Sequence, residues 1–215
     1  MLLVFEGPEG AGKTTQLRLL REWLDERSIP YLAVREPGGT ALGDQIRRVL
    51  LDPASDITPH AEALLFMASR AQLVERQLRP ALERGEIVLL DRFFLSTYAY
   101  QGAGRGLPDD EIASANRLAT GGLVPDLTLL LSLPAPEGLA RVTRRGAQDR
   151  IERAESAFHE RVSAAFARFA TPEWQRAHRD CGTIVVVDAR GSEREVFSRV
   201  LSELWQRWPA SFPSP

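Results

Sequence analysis

Residues 7–15, Gly7-Pro8-Glu9-Gly10-Ala11-Gly12-Lys13-Thr14-Thr15, constrain the fold of this chain more than any other stretch. They fit G-x-x-x-x-G-K-[ST], a glycine-rich turn whose backbone N–H groups converge on one concavity. The flanks are the ones such a turn requires. Leu2-Leu3-Val4-Phe5 is a short apolar run of strand type, and Leu17, Leu20 and Leu24 recur at helical spacing after the turn. A strand that empties through glycines into a helix offers the positive end of that helix to phosphate oxygens. Lys13 then reaches the outer phosphates, and the Thr14 hydroxyl is a candidate ligand for Mg²⁺. Lys13 is also the only lysine in the sequence. A compact ammonium at a crowded phosphate site does not exchange freely with a planar guanidinium. Retention of lysine at this one position favours function over chance.

The rest of the chain alternates strand-like and helix-like stretches. Further strands are expected at 31–34, 86–90, 127–131 and 183–187. Helices are expected from the loop to about 27, then at about 41–51, 59–78, 108–119, 137–142, 151–170 and 192–207, with 101–106 as a flexible break. This alternation predicts an α/β fold, a five-stranded parallel sheet flanked by helices on both faces. Ligands of such sheets sit beyond the carboxyl ends of the strands. The loops there include Arg35–Thr40 and Asp91–Phe93. One domain is expected over 1–208, and the proline-broken end, 209–215, is expected to fray.

Composition excludes several classes. At 215 residues and 44% hydrophobic content the chain can build one ordinary core. A net charge of −2 argues against a general nucleic-acid binder. The single Cys181 excludes an intrachain disulfide and a cysteine-rich metal cluster, and suits a reducing compartment. No apolar run approaches the roughly 18 residues of a membrane span, and Met1–Glu6 lacks the basic start of a signal peptide. The expected location is the cytoplasm. His60, His159 and His178 show no metal-ligand spacing.

The phosphate loop alone says nucleotide, not reaction. A GTP switch reads guanine with Asn-Lys-x-Asp, which a chain with its only lysine in the loop cannot supply. The third strand ends in Asp91-Arg92 rather than in the strongly acidic motif of large ATP motors. An aspartate there can hold Mg²⁺ through water, and an arginine beside it can bind a second phosphate. That pairing suggests a kinase acting on a phosphorylated small molecule.

Six stretches, in order, carry a resemblance: Phe5–Thr15, Arg35–Thr40, Leu65–Arg70, Asp91–Phe93, Ser96–Gly102 and Asp149–Glu152. Together they resemble the thymidylate kinases of bacterial type. The resemblance implies a P-loop NTPase fold with a short mobile lid, and a homodimer. It implies transfer of the γ-phosphoryl group of ATP to dTMP, giving dTDP and ADP, with Mg²⁺. Gly7, Pro8, Glu9, Gly10, Ala11, Gly12, Lys13, Thr14 and Thr15 would then cradle ATP, with Arg144 and Arg145 from a lid at about 141–152. Phe66 would stack on thymine, Arg70 would donate to its O4, and Thr97 and Gln101 would lie near the remaining base edge. Tyr100 would crowd the sugar 2′ position, and Glu9 would lie near the 3′-hydroxyl. Arg92 would hold the dTMP phosphate, and Thr14 with Asp91, through water, would hold the metal. Lys13, Arg92, Glu9 and a lid arginine, with Arg150 favoured over Arg144 and Arg145, form the implied catalytic set. The chain departs from commoner relatives at Phe93 and Phe94, where a His or Tyr and a polar residue are frequent.

Pattern alone reads some of these residues differently. Phe66 sits among Leu64, Leu65 and Met67 and looks like core, and Arg70 looks like a solvated charge or a partner for Glu62 or Glu75. Two other functions compete with the first: a kinase for another nucleoside or deoxynucleoside monophosphate, and a non-catalytic ATP-binding switch.

Overall fold

The computed structural model describes residues 1–134, 137, 138, 141 and 149–212. Five strands form one parallel sheet in the order β2-β3-β1-β4-β5: β1 (Leu2–Glu6), β2 (Tyr31–Arg35), β3 (Ile87–Asp91), β4 (Leu127–Ser132) and β5 (Ile184–Asp188). Leu3 of β1 is level with Leu89 of β3 on one side and Leu127 of β4 on the other. The inner strands are apolar at almost every position because helices cover both faces. On one face, Leu2, Val4, Val88, Leu90 and Leu130 join a core that includes α3 (Pro59–Leu73), α6 (Asp109–Thr120) and α7 (Ser156–Phe169). On the other, Leu3, Phe5, Leu89, Leu129 and Leu131 pack with α1 (Lys13–Asp25) and α9 (Glu193–Arg207). Strand order reverses about β1, so the loops after β1 and β3 flank one crevice.

Several elements differ from the sequence expectation, each for a local reason. The helix expected to end near 78 runs on through a wider π-helical turn, Val74–Leu78, into α4 (Arg79–Glu83). The Arg79 N–H bonds to the Val74 carbonyl across that turn, so the backbone is already rearranged where Pro80 has no N–H to give. The expected break at 101–106 is mostly helix: α5 (Phe94–Thr97) continues as a π-helical segment, Tyr98–Gly104. Its glycines serve packing, since a side chain at Gly104 would meet the Phe158 ring at 2.5 Å. The helix expected from 151 starts only at Ser156, because Asp149 Oδ1 accepts from the backbone of Ile151 and Glu152 and closes a turn first. A short α8 (Pro172–Ala177) was not anticipated. The tail is not frayed as far as Phe212, whose buried ring stacks on Trp23 at 5.7 Å. Most of the expected lid and half of the 137–142 helix lie outside the described residues.

Candidate active site

The phosphate loop takes the shape its glycines permit. Gly7 has φ 141° and Gly12 φ 90°, both in the region that side chains resist. A Cβ on Gly7 would stand 2.5 Å from the Leu131 carbonyl oxygen, so glycine also lets the loop pass β4. Gly12 leads into α1 with no side-chain cap, which leaves the first N–H groups of that helix for a ligand. Lys13 folds back on its own loop, donating to the carbonyls of Gly7 (2.8 Å) and Pro8 (2.9 Å). Burial, with help from the nearby Arg92, lowers its pKa to about 7. Glu9, Gly10, Gly12, Lys13 and Thr14 line the main cavity, while Ala11 is buried in the core and Pro8 faces a second depression.

The end of β3 supplies the opposing wall. Thr14 Oγ1 donates to Asp91 Oδ2 at 3.2 Å, and Asp91 Oδ1 is buried with no hydrogen-bond partner among the described residues. The chain then turns sharply through Arg92, which adopts φ 70°, a left-handed conformation costly for a non-glycine residue. Glu6, fully buried, holds that turn. Its Oε1 accepts from the backbone of Phe93 (2.7 Å) and Ser96 (3.0 Å), and its Oε2 from the Ser96 hydroxyl (2.7 Å). The carboxylate thus satisfies the free N–H groups at the start of α5. Ser96 Oγ in turn accepts from Arg92 Nη1 at 3.0 Å, and the guanidinium lies 5.2 Å over the Tyr100 ring. Burial opposes the Arg92 charge, but Tyr100, Asp91, Glu6 and Glu9 outweigh it and raise the pKa. Sequence reasoning missed Glu6; its signal was an acidic residue closing an otherwise apolar strand.

The third wall comes from α3 and from the helical segment after β3. Half-buried Phe66 shows its ring to the cavity, and Thr97, Tyr100 and Gln101 line the same space. The Tyr100 hydroxyl donates to Glu9 Oε1 at 3.2 Å, tying this wall to the phosphate loop. Arg70 is not the solvated charge that pattern suggested. It is 2% exposed and donates to Glu36 Oε2 (2.6 and 2.8 Å), the Phe93 carbonyl (2.9 Å), Thr97 Oγ1 (3.0 Å) and Asn116 Oδ1. Its five N–H groups match these acceptors, so donation to a base O4 requires giving one up. Phe93 and Phe94 stack on each other at 4.2 Å beneath its guanidinium, 4.8 and 5.5 Å away.

The remaining side of the cavity shows both gaps and additions. Asp149, Ile151 and Glu152 line it, but Arg150 turns to Glu62 Oε2 (2.6 Å) and the Leu50 carbonyl (2.8 Å). Its guanidinium ties segments together here, which departs from the catalytic role expected of it. Arg144 and Arg145 lie outside the described residues, whereas Arg141 Nη1 reaches the Gly10 carbonyl at 3.3 Å. Arg35 and Glu36, from the loop expected at this end of the sheet, also line the cavity, and Arg47, which the sequence did not single out, joins them. Burial, with Arg35 and Arg92 close by, lowers the Arg47 pKa, and the nearby Asp149 and Asp91 offset this only in part. Among the described residues no group of three His, Cys, Asp or Glu could hold a metal, and no helix is long and apolar enough to cross a membrane.

Comparison with known proteins supplies the family. The model of the family described as thymidylate kinase matches residues 5–200. This chain belongs to the thymidylate kinase family. A thymidylate kinase of Deinococcus radiodurans is 47% identical over 96% of this chain and 97% of its own length. Those of Carboxydothermus hydrogenoformans (45% identical; 91% and 92% covered) and Synechococcus sp. strain JA-3-3Ab (46%; 100% of both) are similar along nearly the whole chain. The family match spans both the phosphate loop and the Phe66–Gln101 wall.

Proposed function

We propose that this thymidylate kinase family member transfers the γ-phosphoryl group of ATP to dTMP, giving dTDP and ADP. One observation carries the reading. A single cavity is lined by Lys13 and Thr14 of the loop and by Phe66, Thr97 and Gln101 of the base wall, and Arg92 lies over Tyr100 of that wall and near enough to Lys13 to act on its charge. ATP phosphates lie on the loop amides and Lys13. The dTMP phosphate lies on Arg92, its base against Phe66, and its sugar beside Glu9 and Tyr100. The attacking group is a phosphate oxygen that is already anionic, so no strong base is needed. A phosphate oxygen of dTMP bonds to the γ-phosphorus as the bond to the β-phosphate oxygen breaks, and ADP leaves with the electron pair. The protein positions the two phosphates and neutralises their charge.

Thr14 and Asp91 fit Mg²⁺: both offer hard oxygen, and Asp91 Oδ1, buried and without a hydrogen-bond partner among the described residues, can accept from a water of the ion. The ion, when bound, offsets charge on the transferring phosphates. A homodimer is supported by the exposed Leu64 of α3 (66%) and Leu118 of α6 (87%), on two helices that pack together. A reducing location, the cytoplasm, suits the buried free Cys181.

An ADP-release assay across dTMP, dUMP, dCMP, dGMP and AMP tests the reading. The largest kcat/KM is expected for dTMP; a larger one for dCMP or AMP overturns the assignment. ATP binding with no turnover of any acceptor, and no thermal shift at millimolar dTMP, would favour the switch.

A further inference from the structure

Gln101 carries an ambiguous group. A side-chain amide offers a donor at one end and an acceptor at the other, and a free amide can rotate to suit either kind of base edge. This one is not free. Gln101 Nε2 donates to Glu62 Oε1 at 2.9 Å in a buried contact. Glu62 is 1% exposed and also receives Arg105 (3.0 and 3.2 Å) and Arg150 (2.6 Å). Burial works against its charge, but the hydrogen bonds from Arg105, Gln101 and Arg150 prevail and pull its pKa down. An ionised carboxylate only accepts, so the opposite amide orientation would set oxygen against oxygen. Among the described residues the contact with Glu62 is the only hydrogen bond of the Gln101 side chain, and the residue lines the cavity. Four residues earlier, Thr97 Oγ1 accepts from Arg70 at 3.0 Å, which leaves the hydroxyl proton as the group to give.

We propose that Glu62 is a positioning residue that locks the Gln101 amide with its oxygen toward the base, so that the pocket reads an imide edge and refuses a 4-aminopyrimidine. The inference rests on the reading of this cavity as the dTMP site. An imide presents N3–H as donor beside O4 as acceptor, and it meets the acceptor of Gln101 and the donor of Thr97. Cytosine reverses both, placing acceptor against acceptor and donor against donor. The selectivity therefore does not need the N–H groups that Arg70 has already committed. A mismatched buried edge leaves polar groups unpaired, the kind of difference that discriminates strongly between similar substrates.

The test is kcat/KM for dTMP, dCMP and dUMP in wild type, Glu62→Gln, Gln101→Leu and the double variant. Glu62→Gln frees the amide to turn, so the dTMP preference over dCMP should fall about tenfold or more. The preference of dTMP over dUMP should stay within about twofold, because both present the same edge. Adding Glu62→Gln to Gln101→Leu should not lower the dCMP discrimination further. An unchanged dTMP-to-dCMP ratio in Glu62→Gln, or an equal loss against dUMP, overturns the proposal. Side-chain amide NMR of the wild-type protein applies even if Glu62→Gln does not fold. The Gln101 NH₂ protons should exchange slowly with solvent in the ligand-free protein; fast exchange means they face the cavity, and the proposal fails. Absence of dTMP turnover in wild type would instead sink the functional reading, while the amide measurement still decides the orientation.

Discussion

The two ends of the cavity are built by different means. The phosphate loop is contiguous, spans nine residues from Gly7 to Thr15, and works through backbone N–H groups that any sequence with the right glycines would supply. The base wall is assembled from β2, α3, α6 and the segment after β3, and buried ion pairs hold it together: Glu36 with Arg70, and Glu62 with Arg105 and Arg150. In the loop, conformation is the function. In the wall, most charged side chains are paired with one another and so hold the cavity lining in place. Damage to the loop should therefore remove chemistry and leave the fold, whereas damage to the wall should cost stability as well.

The largest separation is expected at Lys13. Lys13→Met should lower kcat by about 10³-fold, the scale of losing a cation at a transferring phosphate. Its unfolding free energy should change by no more than about 1.5 kcal/mol, the scale of the hydrogen bonds lost. Activity assays with urea titrations check both, and a variant that loses stability in step with activity breaks the contrast. Arg70→Met should act the other way. It leaves the Glu36 carboxylate buried, 4% exposed, without its partner. The expected cost is about 3–5 kcal/mol in urea unfolding. A loss below about 1 kcal/mol would mean that the pair is not structural.

A smaller effect sharpens the comparison through pH. Free Lys13 titrates at about pH 7 because of burial and Arg92. Phosphates favour its charged form, so the bound state has the higher pKa. Below pH 7 the ammonium is already present and affinity should be flat. Above it, each bound nucleotide must recover a proton, and Mg·ADP affinity should weaken by at most about tenfold per pH unit. Calorimetry from pH 6 to 9 measures this; a flat profile removes Lys13 from the phosphate site.

The same contrast explains what was legible in the sequence. The parallel sheet was readable because strands buried on both faces are apolar runs, as in Ile87–Leu90. The loop was readable because its function is local. Arg70 looked exposed on a helix because its partners, Glu36 and Asn116, lie 34 and 46 residues away in the chain. Glu6 was passed over, and Glu62 was offered to Arg70 rather than to Gln101, Arg105 and Arg150, for the same reason: nothing near them in sequence marks their partners. The break expected at 101–106 failed because glycines that loosen an isolated helix here admit the Phe158 ring.

Arg92 is where the two ends meet, and binding to Arg92→Ala tests that junction most directly. Equilibrium dTMP affinity should fall at least about 100-fold, as expected when a buried charge-assisted phosphate contact is lost. Affinity for a non-hydrolysable ATP analogue should stay within about threefold. Unchanged dTMP affinity, or an equal loss for both nucleotides, would contradict a cavity in which Arg92 holds the acceptor phosphate and the loop holds the donor.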